Sequence, residues 1–204
     1  MCHNFLSDKN FFLFLLQIDQ QIAESARDKG CSCDGVLHSA NYQRKPRGPH
    51  YRSGEFNTRY SFCCNQDGCR QRCTPPSVRF LGRKVYLGIW IILVTAMEHG
   101  LTPQRRAKLE DILNAGPQTL ARWQQWWRAH FPTSRCWQTN KGHFIPAITA
   151  NQLPGELLGQ LTGTTLCQRL CQLLFILTPI TTCSSDMTCK PPDMYPPCCQ
   201  KQAK

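Results

Sequence analysis

Four cysteines, Cys63, Cys64, Cys69 and Cys73, fall within residues 62–84, which read FCCNQDGCRQRCTPPSVRFLGRK. Thiolates are soft ligands, and zinc takes four thiolate or imidazole groups in a tetrahedron, usually delivered as two close-spaced pairs. The stretch GCSCDG supplies one pair, Cys31 and Cys33, with a glycine on either side. The stretch CCNQDGC supplies a second, Cys64 and Cys69, with Gly68 as its turn residue. The chain between the pairs is long enough for two hairpin knuckles that clamp one ion. Cys-x-Cys is tighter than the usual Cys-x-x-Cys, however, and Cys63 or Cys73 can replace a member of the second pair. His38 and His50 are further reserves. One Zn2+ per chain is the expected cofactor, with free thiols or disulfides as the alternatives.

The choice among these depends on compartment. The chain has 14 cysteines in 204 residues, an even number that suits disulfides only where the environment is oxidising. The one candidate targeting segment is FFLFLL at residues 11–16, preceded by Lys9 and followed by the polar QIDQQIAESARDKG. It is short and has no small-residue cleavage site behind it, so it reads as the apolar face of an N-terminal helix. A cytoplasmic location is expected. The longest apolar run, VYLGIWIILVTAM, falls short of the roughly twenty residues a bilayer demands. It reads as a buried helix, and no membrane partner is expected.

The net charge of +11 is unevenly placed. Residues 1–30 carry three basic and four acidic side chains, whereas residues 31–135 carry sixteen and six. Residues 136–204 carry five and three. A basic middle half beside the cysteines points to a polyanion, since each neutralised phosphate releases counterions. DNA is the expected partner, with a merely soluble basic surface as the plain alternative.

The elements that must position these groups follow from periodicity and breakers. Residues 1–30 form an N-terminal helix closed by Gly30, and residues 31–80 a small β module around the cysteines. TRYSFCC is its one strand-like segment, and TPPSVRFLGRK a rigid basic connector. Residues 81–135 form a helical domain. There, Pro103 and Pro117 each stand at a first helical position, and NAG separates the two helices. This pair has the length and turn of a helix-turn-helix. In the second helix Leu120, Trp123 and Trp127 form a buried stripe. Gln118, Thr119, Arg122 and Gln125 lie off that stripe, where Arg and Gln can match guanine and adenine edges. Arg83, Lys84, Arg105, Arg106 and Lys108 would meet phosphate. Residues 136–182 form a C-terminal helical segment that packs on the preceding helices, on a second chain or on a transposase or other protein. Residues 183–204 read as a disordered tail. The fold class is α+β, mainly α.

RYSFCCNQDGCRQRCTPPSVRF followed by GLTPQRRAKLEDILNAGPQTLARWQQWWRAHF resembles the amino-terminal module of zinc-ribbon insertion-sequence transposases. That resemblance covers about residues 31–131 and implies a zinc ribbon followed by a helix-turn-helix that binds DNA. It stops short of catalysis. Beyond Arg135 the only acids are Glu156, Asp186 and Asp193, too few and too scattered for a two-metal nuclease site. His99, His130 and His143 form no triad, and nothing orients Cys136 toward His143. The expectation is a non-catalytic DNA-binding protein, an accessory or regulator of a mobile element. The alternatives are a zinc-ribbon adaptor that binds protein, or a degenerate transposase fragment.

Overall fold

The computed structural model describes residues 8–44, 54–81, 87–88, 91–92, 103–113 and 115–181. Within them the chain is α+β and mainly helical, with one small sheet module. Helix α1, Lys9–Asp28, begins where the Asp8 carboxylate accepts hydrogen bonds from the N–H groups of Asn10 (2.9 Å) and Phe11 (3.3 Å). These are donors that the helix itself leaves without partners. It ends before Gly30, whose φ of +70° costs a residue without Cβ little. The FFLFLL run lies on α1, where every member except the exposed Leu13 is buried. Each such side chain contributes about 1.5–3 kcal/mol.

The sheet module has very short strands. Strand β1 (Leu37–Ser39) pairs antiparallel with β4 (Phe62–Cys64), which pairs with β5 (Arg72–Cys73). A second ladder joins β2 (Tyr42–Gln43) to β3 (Thr58–Arg59). The single strand expected across TRYSFCC is thus two, with Tyr60 and Ser61 between them. The Ser61 N–H donates to Asn41 Oδ1 (3.0 Å) instead of to a neighbouring strand.

Helices α2 (Pro103–Leu113) and α3 (Pro117–Gln125) fall where the prolines place them. The second helix, expected to run on through Trp127, changes at Trp126 into a π turn, Trp126–His130. The Phe131 N–H reaches Trp126 O (2.8 Å), five residues back. The widened turn lets Trp127 and Phe131 both bury completely, their rings 4.8 Å apart. Short helix α4 (Arg135–Asn140) continues the spine, with Phe131–Trp137 at 5.2 Å and Trp137–Phe144 at 5.7 Å. The C-terminal segment is also split, into α5 (Gly155–Gln160) and α6 (Leu166–Leu177). Gly163, at φ +148°, makes the break, and Thr165 caps α6 reciprocally with Gln168. One core cluster draws on α1, Phe56, Val78, Phe80, Leu81, Leu87, Ile91, Ile92 and the helices through Leu177. Leu87, Ile91 and Ile92 of the long apolar run are in it, and the Gly88 N–H of the same run donates to Arg79 O (2.8 Å); the run's other residues and residues 183–204 lie outside the described residues.

The connector between sheet and helices departs most from expectation. Arg79, read as part of a basic surface, is buried and ion-paired with buried Asp19 of α1, Nε to Oδ2 at 2.8 Å. Asp19 also accepts from Ser77 Oγ (2.5 Å) and the Val78 N–H (2.7 Å). The rest of the guanidinium donates to the carbonyls of Phe56 and Thr58 and lies 5.0–5.5 Å from the ring centres of Phe56, Tyr60 and Phe80. Arg59, likewise buried, donates to Pro75 O (2.5 Å). The Ser77 N–H donates to Thr181 Oγ1 (2.9 Å). Removing one member of a buried pair leaves the other charge uncompensated. Asp19→Ala is therefore expected to lower the unfolding free energy by about 3–5 kcal/mol, measured by urea denaturation. A loss comparable to that of an exposed-site variant such as Glu24→Ala would refute the assigned role.

Candidate metal centre

Two turns face each other across the end of the β1–β4 ladder. In the first, the Cys31 N–H donates to Gly35 O (3.0 Å) and the Asp34 N–H to Cys31 O (2.9 Å), with Asp34 at φ +61°. In the second, the N–H groups of Cys69 and Arg70 both donate to Gln66 O (3.0 Å each), and the Cys64 N–H donates to Gln71 O (3.0 Å). Asn65 ties the turns together: its N–H donates to Val36 O (3.0 Å) and its Oδ1 accepts from the Val36 N–H (2.9 Å). Glycine matters at Gly35 rather than at Gly68. A Cβ on Gly35 would stand 2.5 Å from Cys64 Sγ, whereas one on Gly68 would meet nothing. The positive φ of the second turn is at Arg70 (+45°).

This arrangement brings Cys31, Cys33, Cys64 and Cys69 together, with all four sulfurs within 4.8 Å of one another. Cys33–Cys64 stands at 3.5 Å and Cys31–Cys69 at 3.7 Å. Zinc–sulfur bonds of about 2.3 Å at tetrahedral angles give sulfur–sulfur edges of about 3.8 Å, so the donor set fits a tetrathiolate ion. The cluster can hold a metal ion. Cys63 is turned away: its thiol faces the carbonyls of Arg70 (3.5 Å) and Cys64 (3.7 Å). Cys73 packs at the edge of the small apolar cluster of Ala23, Leu37, Phe62 and Cys64, where burial pushes its thiol up. His38 pairs across the strands with Cys63 and is exposed. His50 lies outside the described residues.

Cys31, Cys64 and Cys69 differ as acids. The backbone N–H of Cys33 is the main influence that lowers Cys31 to about 7. Cys64 is drawn down by the Gln66 N–H but driven up to about 12 by burial and by the neighbouring thiols. Cys69 is drawn down by the Gln71 N–H yet raised overall by Cys33 and Cys31. A cation that binds here must displace protons from Cys64 and Cys69, whose thiols resist losing them. The Gln66 N–H, 3.5 Å from Cys64 Sγ, stabilises the thiolate so formed.

The structure does not join the expected DNA-facing residues to this cluster. Gln118, Arg122 and Gln125 are exposed on α3. Thr119, expected with them, is buried, and its hydroxyl accepts from Arg122 Nη2 (3.2 Å). The buried stripe is one residue wider than the Leu120–Trp123–Trp127 spacing implied. Trp126 is partly buried and stacks obliquely on Phe131, 5.6 Å away. Arg105, Arg106 and Lys108 lie on α2. Their side chains, and Arg83 and Lys84 altogether, lie outside the description. No family model, curated protein or solved structure matches the chain.

Cys33→Ser or Cys64→Ser is expected to abolish metal retention, whereas Cys63→Ser and Cys73→Ser should retain one ion per chain by elemental analysis. Retention by the first two would exclude the site. Metal affinity should also rise from pH 6 to pH 8, as fewer protons compete for the thiolates, which a competition titration with a chromogenic chelator measures.

Proposed function

We propose that this is a non-catalytic zinc protein that binds duplex DNA. In this reading the Cys31–Cys33–Cys64–Cys69 cluster is structural, with all four ligand positions filled by protein. A closed tetrathiolate leaves no open coordination position for a substrate, so the ion would serve folding and not chemistry. Thiolate softness favours zinc over calcium or magnesium. A reducing compartment such as the cytoplasm suits this reading, because there thiols stay available as ligands instead of pairing as disulfides. Among the described residues no helix is long and apolar enough to cross a membrane.

The observation that carries DNA binding is the exposed face of α3. Gln118, Arg122 and Gln125 face outward while Leu120 and Trp123 anchor the opposite side. A helix fixed from behind can place its N-terminal side chains against base edges in a major groove. In this reading α2 precedes the recognition helix and carries Arg105, Arg106 and Lys108 for phosphate. An accessory or regulatory role in a mobile element follows from the resemblance to the transposase module.

A binding titration on random and selected duplexes at low and moderate salt tests the proposal. Arg122→Ala should cost about 1–3 kcal/mol of preference among sequences, the worth of a bidentate base contact. Equal weakening on every duplex would make Arg122 a phosphate contact. Affinity weaker than millimolar at both salt levels, with metal present and the protein folded, would remove DNA as the partner and favour the protein-binding adaptor.

A further inference from the structure

Residues 112–155 contain no aspartate or glutamate, yet they hold Arg122, Arg128, Arg135 and Lys141, with His130 and His143. All six side chains are exposed, and among the described residues none pairs with a carboxylate; the ion pairs there are Arg70–Asp67 and Arg79–Asp19. Helix α1 provides a contrast within the same molecule. Its Lys9, Arg27 and Lys29 are exposed too, but they alternate with Asp8, Glu24 and Asp28, the interspersed pattern of an ordinary solvated surface.

The elements that carry these cations are joined by the aromatic spine Trp127–Phe131–Trp137–Phe144, with successive ring centres 4.8, 5.2 and 5.7 Å apart. It spans α3's π extension, α4 and the following turn, the same three successive elements that carry Arg128, Arg135 and Lys141. The π turn has a direct part in this. It buries Trp127 and leaves Arg128, Ala129 and His130 facing solvent, and π turns inside helices recur at functional positions.

We propose that Arg128, Arg135 and Lys141 form a second contact surface for the phosphate backbone of duplex DNA, continuing the tract beyond α3. Charge complementarity selects the occupant: fixed cations with no carboxylate among them match a polyanion that releases counterions when neutralised. The inference rests on the DNA reading above, and it adds positions that contact backbone rather than bases.

Two triple variants with the same loss of charge test it: Arg128→Gln/Arg135→Gln/Lys141→Gln, and Lys9→Gln/Arg27→Gln/Lys29→Gln as the control on α1. Both replace exposed side chains, so thermal melting should match that of the unsubstituted protein. On random duplex DNA the first variant should bind more weakly, with a salt dependence shallower by about 2.7 in log–log slope, about 0.9 for each lost contact. The control should keep the original slope. The exchange Arg128→Lys/Arg135→Lys/Lys141→Arg should restore it. Equal slopes for the first variant and the unsubstituted protein would overturn this surface alone. Equal loss in both triples would reduce it to net charge and overturn it as well. Binding to phosphatidylserine vesicles that only the first variant loses, with its DNA slope unchanged, would reassign the surface to membranes and overturn it. Absence of DNA binding by the unsubstituted protein would overturn this inference together with the function it rests on.

Discussion

The ion pair between Asp19 and Arg79 is the constraint from which the arrangement of the other parts follows. Two buried charges cost several kcal/mol to desolvate, and mutual attraction offsets that only when the remaining hydrogen-bonding capacity is also met. Here it is met. The carboxylate accepts from a hydroxyl, a backbone N–H and the guanidinium, and the guanidinium reaches carbonyls on either side of the Asn57–Thr58 junction. An apolar pair of the same volume would fill the space, but it would not dictate which loop meets which helix. Five directional bonds do. They set α1, the turn before β3 and the connector after β5 in one relative position, and the Ser77–Thr181 bond adds the end of the described helical region.

The cysteine module depends on a different kind of closure. Strands of two or three residues bury little, and the apolar cluster beneath them consists of Ala23, Leu37, Phe62 and Cys64. Small modules of this sort commonly need a staple beyond their hydrophobic area. The convergence of four sulfurs at the open end of the ladder supplies the chemistry for one. Ala23 also links the module to α1, so the helix C-terminus and the first turn share an anchor only a few residues apart.

Much of this was legible in the chain itself, for reasons that also explain what was not. Proline at 103 and 117 acts on its own local backbone, and the helix starts appear where local chemistry puts them. Cysteine pairs and the glycine beside them likewise declare a turn. Arg79 and Asp19 could not be read in this way. They lie 60 positions apart, and nothing in VRF or QIDQQ distinguishes a paired buried charge from a solvated one. The π turn was hidden because WQQWWRAHF has an acceptable α-helical period. Only the competition of Trp127 and Phe131 for the same core space favours the wider turn. Thr119 was missed for a related reason: a small polar side chain can sit at the margin of a buried stripe once Arg122 satisfies its hydroxyl. The C-terminal break falls at Gly163, and a glycine within a helical pattern marks an interruption without fixing whether the helix ends there.

The spans of these contacts also order the events of synthesis. The sulfurs of Cys31 and Cys69 are 38 positions apart, so the cysteine-bearing end of the molecule can close once a short stretch has left the ribosome. Helix α1, made earlier still, carries the phenylalanines that anchor the core, and their partners extend to Leu177. Arg59 and Ser77 reach Thr181 across separations of 122 and 104. Loop closure over such distances is slow. The nascent chain can therefore hold a closed cysteine module beside an unburied aromatic helix until the residues near Thr181 emerge. That interval, when apolar surface waits for distant partners, is when a chain of this topology is most exposed to aggregation and to the attention of chaperones.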